Sequence, residues 1–125
     1  MIHLDTSFLI GSLQPGSSED ARLRTWLRNH EPVGISTIAW TEFLCGPVDQ
    51  EQQALAAGIV GQPEAFLVED SERAAELFNA GGRRRGTLID CMIAAVALRA
   101  DAALATMDVD GFRRLGSAGL RIARS

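Results

Sequence analysis

The sequence predicts a three-layer α/β domain built on a short-stranded, mainly parallel sheet, and three observations carry the prediction. Apolar runs of three or four residues alternate with longer segments of helical periodicity. Each run is bounded by turn or capping residues. Strands this short, separated by helices, need crossover connections and therefore run parallel. At 125 residues the chain suits one domain, 1–125, around one core, with no internal repeat, low-complexity stretch or linker.

The first element is Ile2 to Leu4, a minimal buried strand, after which Asp5-Thr6-Ser7 supplies capping side chains for a short helix through Phe8, Leu9 and Ile10. Gly11 to Gly16 is a loop, and Ser17-Ser18-Glu19-Asp20 opens a helix with Leu23, Trp26, Leu27 and His30 on one face, ending near Glu31-Pro32. A second strand, Val33 to Ile35, precedes a helix capped by Ser36 or Thr37 that carries Ile38, Trp40, Glu42 and Cys45 and stops at Gly46-Pro47. Asp49 to Val60 is the next helix, and Ala65 to Val68 reads as a third strand. Asp70-Ser71-Glu72 then opens a helix closing at Gly81-Gly82. Thr87 caps the most apolar helix, Leu88 to Arg99, which belongs at the centre because it is apolar almost all round. Ala102 to Ala105 is a fourth strand, Phe112 to Leu115 a helical turn, and Leu120 to Ala123 a last strand.

Composition removes several function classes. Forty-six per cent hydrophobic and 22% charged residues describe an ordinary globular chain. The net charge of -4 repels nucleic-acid backbone and anionic membrane, so bound nucleic acid needs a local positive patch or a metal ion. All 12 basic residues are arginine. That excludes the P-loop lysine, a Schiff-base lysine, and the lysine that a phospho-accepting signalling domain sets beside its aspartate. Cys45 and Cys91, with only His3 and His30 to help, make neither a disulfide framework nor a zinc site, which points to a reducing compartment. The N-terminus has neither the basic region nor the long apolar stretch of a signal peptide or membrane span, so a cytoplasmic protein is expected.

Four acids then stand out. Asp5 and Asp108 follow strands, where open parallel sheets bind their ligands, and Glu42 and Asp90 share helix faces with apolar residues at i+3 and i+4 spacing. A lone buried carboxylate costs several kcal/mol, and gathering four adds like-charge repulsion. A divalent cation removes both penalties, and an all-oxygen donor set selects magnesium or manganese over zinc, with part of the set reaching the ion through water. Such a centre acidifies a water and neutralises charge on a phosphodiester, the logic of metal-dependent nucleases. No Ser-His-Asp set and no glycine-rich phosphate loop after a strand offers a rival chemistry. Arg83-Arg84-Arg85, between Gly82 and Gly86, supplies guanidinium groups for phosphate, and Thr6 and Ser7 add hydroxyl contacts to substrate or metal-bound water.

At these residues the chain resembles the PIN-domain family, and within it the VapC-like toxins of type II toxin-antitoxin pairs. The matching pieces are Leu4-Asp5-Thr6-Ser7, Thr41-Glu42-Phe43, Asp90 followed by Met92-Ile93-Ala94-Ala95-Val96-Ala97, and Ala105-Thr106-Met107-Asp108 followed by Phe112, in family order across nearly the whole chain. The resemblance implies a PIN-like α/β/α fold and a magnesium-dependent endoribonuclease, with manganese as the alternative ion. It also implies an acidic quartet of Asp5, Glu42, Asp90 and Asp108, with Asp5 and Asp90 the most direct metal ligands. A homodimer held off RNA by a cognate antitoxin protein follows from it too. Two points depart from the family pattern. Gly111 stands where an acid or histidine often precedes the phenylalanine, with Asp110 one earlier, so Asp110 is a candidate to assist or replace Asp108. The arginine triplet exceeds what the family requires, for RNA contact, antitoxin contact or solubility.

Plainer roles compete for each residue. Asp5 is a good helix cap, and Asp108 and Asp110 are common turn residues. Glu42 and Asp90 have an internal ion pair with Arg83, Arg84 or Arg85 as their structural alternative, and the triplet itself reads equally as a solvated loop. The rival to a nuclease is a catalytically silent PIN-like RNA- or protein-binding module.

Overall fold

The shortest elements organise the rest of the chain. In the computed structural model, which describes residues 1–124, the strand Ile2–Leu4 (β1) is buried at every residue and lies between two parallel neighbours, Val33–Gly34 (β2) and Ala103–Ala105 (β3), in the order β2-β1-β3. Ile2 pairs with Val33 on one side and Ala103 on the other, and Leu4 pairs with Ala105. A strand flanked on both edges and covered on both faces has no solvent-facing side, which is why β1 buries His3 along with Ile2 and Leu4. Chain order reverses at β1, so the residue after it stands at the crevice where open parallel sheets bind ligands. That residue is Asp5.

Helices complete the three-layer α/β/α arrangement that the sequence predicts: Thr6–Ser12 (α1), Ser18–Arg28 (α2), Thr37–Cys45 (α3), Gln50–Val60 (α4), Val68–Ala80 (α5), Leu88–Arg99 (α6) and Val109–Arg113 (α7), followed by a 3₁₀ turn, Arg114–Ala118. Their starts follow the side chains. The Ser17 hydroxyl accepts from the Asp20 N–H and the Ser36 hydroxyl from the Ala39 N–H, while Asp49 and Gln52 form a capping box. Thr87 departs from expectation, because its hydroxyl turns back to donate to the Arg84 carbonyl at 2.7 Å. The core joins Leu4, Phe8, Leu9, Ile35, Phe43, Leu104 and Phe112 to α6, which buries Cys91 and Ile93 to Ala97. Three of those α6 residues are alanines, which let neighbouring backbones approach closely. Among the described residues, no helix is long and apolar enough to cross a membrane.

Two predicted strands are corrected. Ala65 to Val68 is not a strand: Glu64 makes one parallel bridge with Ser36, and α5 already begins at Val68. The apolar run lies at the surface, with Leu67 39% and Val68 79% exposed. An arginine takes the place of a sheet there. Arg99 Nε donates to both Asp70 oxygens at 3.0 and 3.1 Å, Nη1 to Glu64 Oε1 at 2.8 Å, and Nη2 to the Ala65 carbonyl at 2.8 Å. Asp70 also accepts from the Leu67 N–H at 2.8 Å and so caps α5 from inside its first turn. Leu120 to Ala123 makes only a bridge, Ile122 to Leu104, alongside β3.

Because Asp70 is buried and holds both Arg99 Nε and the Leu67 N–H, Asp70→Ala removes a charged hydrogen bond and a helix-start contact together and should cost about 2 kcal/mol in urea unfolding. Glu64→Ala removes a half-exposed partner of the same arginine and should cost less than about 1 kcal/mol.

Candidate active site

At the carboxyl ends of β1 and β3 lies a cavity of about 340 Å³, lined by Asp5, Glu42, Asp90 and Asp108, by Thr6 and Ser7, and by the apolar walls Ile10, Ile93 and Phe112. Four carboxylates from four separate parts of the chain thus face one space. Among the described residues, none of them makes an ion pair. The internal pairing of Glu42 or Asp90 with the arginine triplet is therefore not what the fold does.

Asp5 is buried, and its Oδ1 accepts from the Ser7 hydroxyl at 2.9 Å and the Phe8 N–H at 2.8 Å. It caps α1 and lines the cavity at once, so the two readings of Asp5 are not exclusive. Burial pushes its carboxyl above the usual range, outweighing hydrogen bonds from Thr106, Phe8 and Ser7, and the charge of Glu42 adds to the push. Asp90, in the first turn of α6, is raised too. Burial is again the largest cause, followed by the charges of Asp5, Asp108 and Glu42, with Arg114 opposing.

Glu42 differs from expectation in being exposed rather than set on a buried face of α3. The Thr6 hydroxyl holds it, donating to Glu42 Oε1 at 2.7 Å and lying 3.3 Å from the Ala39 carbonyl, so α1 fixes an acid presented by α3. Asp108 is also exposed and caps α7, with Oδ1 accepting from the Gly111 N–H at 3.1 Å. A Cβ at Gly111 would overlap the Asp108 carboxylate, so the glycine makes room for the acid to fold over the helix start. Asp110 points elsewhere: it pairs with Arg113 at 3.4 Å, its side chain 93% exposed, and it does not line the cavity.

Arg83, Arg84 and Arg85 are exposed on the loop between α5 and α6, outside the cavity lining, with Arg83 Nε donating to Asn79 Oδ1. Two residues not singled out from the sequence stand closer. Thr106 is buried between the acids, its oxygen accepting from the Asp108 N–H at 2.9 Å while its side chain also bonds Asp5. Arg114 places positive charge beside Asp90. A hydroxyl residue two positions before an aspartate at a strand end is a signal for Thr106. Arg114 has none, being one of two adjacent arginines in a turn.

The donor set suits a hard divalent ion. Every side-chain donor in the lining is oxygen, and the penalty on Asp5 and Asp90 is the one a cation relieves. Among the described residues, no three acid, histidine or cysteine side chains are already gathered tightly enough to hold an ion.

The PIN domain family model matches residues 2–118, and the chain belongs to that family. Solved structures share the fold. They include VapBC2 from Rickettsia felis bound to a DNA fragment from its promoter (20% identity, 98% of each chain covered, TM-score 0.76). VapC20 from Mycobacterium tuberculosis, described as a sarcin-ricin loop cleaving toxin, matches at 20% identity over 100% of each chain with TM-score 0.71. FitAcB from Neisseria gonorrhoeae matches at 21% identity over 99% of this chain and 97% of its own, with TM-score 0.70. No curated protein matches the sequence. At these identities the likeness shows a VapC-like form of the fold.

A raised carboxyl pKa means that the folded state binds the proton more tightly than the unfolded chain. The penalty for ionisation is complete above the folded pKa, shrinks as pH falls through it, and is absent below the ordinary value of 3.8. Asp90→Asn should therefore raise the melting temperature of metal-free protein at pH 7, and the gap to wild type should close on acidification. Thermal scans in EDTA across pH 4 to 8 measure it.

Proposed function

We propose that the chain is a magnesium-dependent endoribonuclease, the toxin of a toxin-antitoxin pair, with manganese as a substitute ion. The observation that carries the reading is the set of four carboxylates, unpaired among the described residues, lining one cavity at the strand ends of a PIN domain. The description of VapC20 as a sarcin-ricin loop cleaving toxin supports RNA as substrate. Structures described as a toxin-antitoxin complex and as a member of a family of toxin-antitoxin systems support a cognate antitoxin protein as partner. Single-stranded loops of structured RNA fit best, since their bases and backbone are accessible. A cytoplasmic homodimer is the form in which such a toxin is expected.

Asp5 and Asp90 are the ligands proposed to hold the ion most directly, with Glu42 and Asp108 completing the set. When bound, the ion supplies positive charge to the phosphodiester and acidifies water for attack on phosphorus. The chain's own residues do the rest. Ser7 and the Phe8 N–H fix one oxygen of Asp5, and Thr106 adds a further hydrogen bond to the carboxylate. Thr6 holds Glu42 in place, and Thr106 ties the Asp5 and Asp108 segments together. Ile10, Ile93 and Phe112 restrict water and strengthen each charge interaction. Thr6 and Ser7 lie where substrate oxygens would pass, and Arg83, Arg84 and Arg85 offer phosphate contacts farther along the strand.

Asp5→Asn and Asp90→Asn should each lower RNA cleavage in magnesium at least about a hundredfold, the scale of several kcal/mol of lost charge stabilisation. Both should also abolish the rise in melting temperature that magnesium or manganese gives wild type. Cleavage retained by either variant would defeat the assignment. Asp110→Asn, outside the cavity, should leave both readouts within about twofold of wild type.

A further inference from the structure

The cavity lining holds four acids and no base, in a chain of net charge -4, so the fold must say what meets the charge of an incoming RNA strand. The arginine triplet does not line the cavity. The cation standing next to it is Arg114.

Its position is built. Arg114 opens the 3₁₀ turn after α7, half-buried, two residues after Phe112 of the acidic cavity's wall, and lines a second cavity of about 320 Å³ together with Leu77, Gly81, Leu115 and Ser117. A Cβ at Gly81 would come within 2.8 Å of Arg114 Nη1. Gly81 has φ -83°, which any residue adopts, so backbone conformation does not call for glycine there. What the glycine provides is space for a guanidinium. Among the described residues Arg114 forms no ion pair, unlike Arg99, Arg113 and Arg121. Its side chain reaches the Cys91 thiol, and its charge reaches Asp90. A half-buried arginine whose only polar side-chain partner here is a thiol, and which forms no ion pair among the described residues, keeps guanidinium N–H groups for a planar anion from outside.

We propose that Arg114 binds a phosphate of single-stranded RNA adjoining the cleaved bond, and that the strand leaves the acidic cleft over the second cavity toward the Arg83–Arg85 loop, which begins two residues after Gly81. This rests on the nuclease reading above. Arg114 serves substrate binding and position, and Asp90 keeps its place without it.

The test measures cleavage of a labelled single-stranded RNA in magnesium at several salt concentrations, alongside the magnesium-induced rise in melting temperature. Arg114→Gln should raise KM about tenfold, the worth of one charged hydrogen-bonding contact. It should also reduce the slope of log(1/KM) against log salt by about 0.7, one single-strand phosphate. Arg114→Lys should restore the slope and only part of KM, since it keeps the charge and loses the fork. Gly81→Ala, which crowds the guanidinium without removing it, should raise KM in the same direction and reads the proposal if Arg114→Gln does not fold. The metal-induced shift should stay at the wild-type value in all three. Unchanged KM and slope in folded variants, with wild type cleaving, would overturn the inference alone. A lost metal-induced shift would also overturn it, by making Arg114 a support for Asp90. A wild-type chain that cleaves no RNA in magnesium or manganese would overturn the nuclease reading, and the inference with it.

Discussion

Electrostatic repulsion among Asp5, Glu42, Asp90 and Asp108 is the constraint around which the cleft is arranged. A carboxylate at the end of a buried strand loses hydration, and each further acid facing the same space raises the cost of keeping all of them ionised. The fold supplies part of the compensation. Asp5 takes hydrogen bonds from a hydroxyl and a backbone N–H, and Asp108 takes one from the start of α7. For Asp5 and Asp90 that is not enough, because burial still dominates both carboxyls. The sheet ends hold a deficit of positive charge that the described residues leave unfilled.

The same chain shows what it does with a buried acid that has only a structural task. Asp70 is as buried as Asp5, yet it receives both oxygens' worth of contact from Arg99 Nε and a further bond from the Leu67 N–H. Arg99 then spends its remaining nitrogens on Glu64 and the Ala65 carbonyl, fixing the segment between α4 and α5. An arginine was available to neutralise an acid where architecture needed it. Its absence from the cleft is a property of the cleft, and the contrast separates a folding device from a site poised for an external cation.

How much of this was legible beforehand follows from which signals are local. Capping residues and short apolar runs place β1, β3 and the helix starts almost where the structure has them, because an N-cap acts within four residues of itself. Ala65 to Val68 misled because apolar composition does not say whether a run is covered. The partner that decides the matter, Arg99, lies some thirty residues away on another helix. Glu42 was legible as a site residue and misplaced as a buried one. Its apolar neighbours at i+3 and i+4 suggested an inner face, whereas a hydroxyl from α1 holds it at the rim. Thr106 carries a local signal, a hydroxyl two positions before an aspartate at a strand end, whereas Gly111 matters through its contact with Asp108 and Arg114 through the space at Gly81, which neither composition nor spacing reveals.

The arginines differ in what engages them, and the difference bears on the proposed RNA reading. Arg24, Arg73, Arg99, Arg113 and Arg121 are engaged by carboxylates, and Arg22 lies over Phe8 and Trp26 while donating to the Ala123 carbonyl. Among the described residues Arg28, Arg83, Arg84, Arg85, Arg114 and Arg124 also form no ion pair; of these, Arg83, Arg84 and Arg85 lie on the loop leading into α6, and the charge of Arg114 reaches Asp90 in its first turn. A net negative surface slows nonspecific association with nucleic acid. On the proposed reading, guanidinium groups without ion pairs near an acidic cleft would favour a strand that lies across both over one that touches either alone. Selectivity of this kind would need no base-specific contact, because a phosphate held by Arg114 and a bond cleaved at the acids would fix each other's place along the backbone.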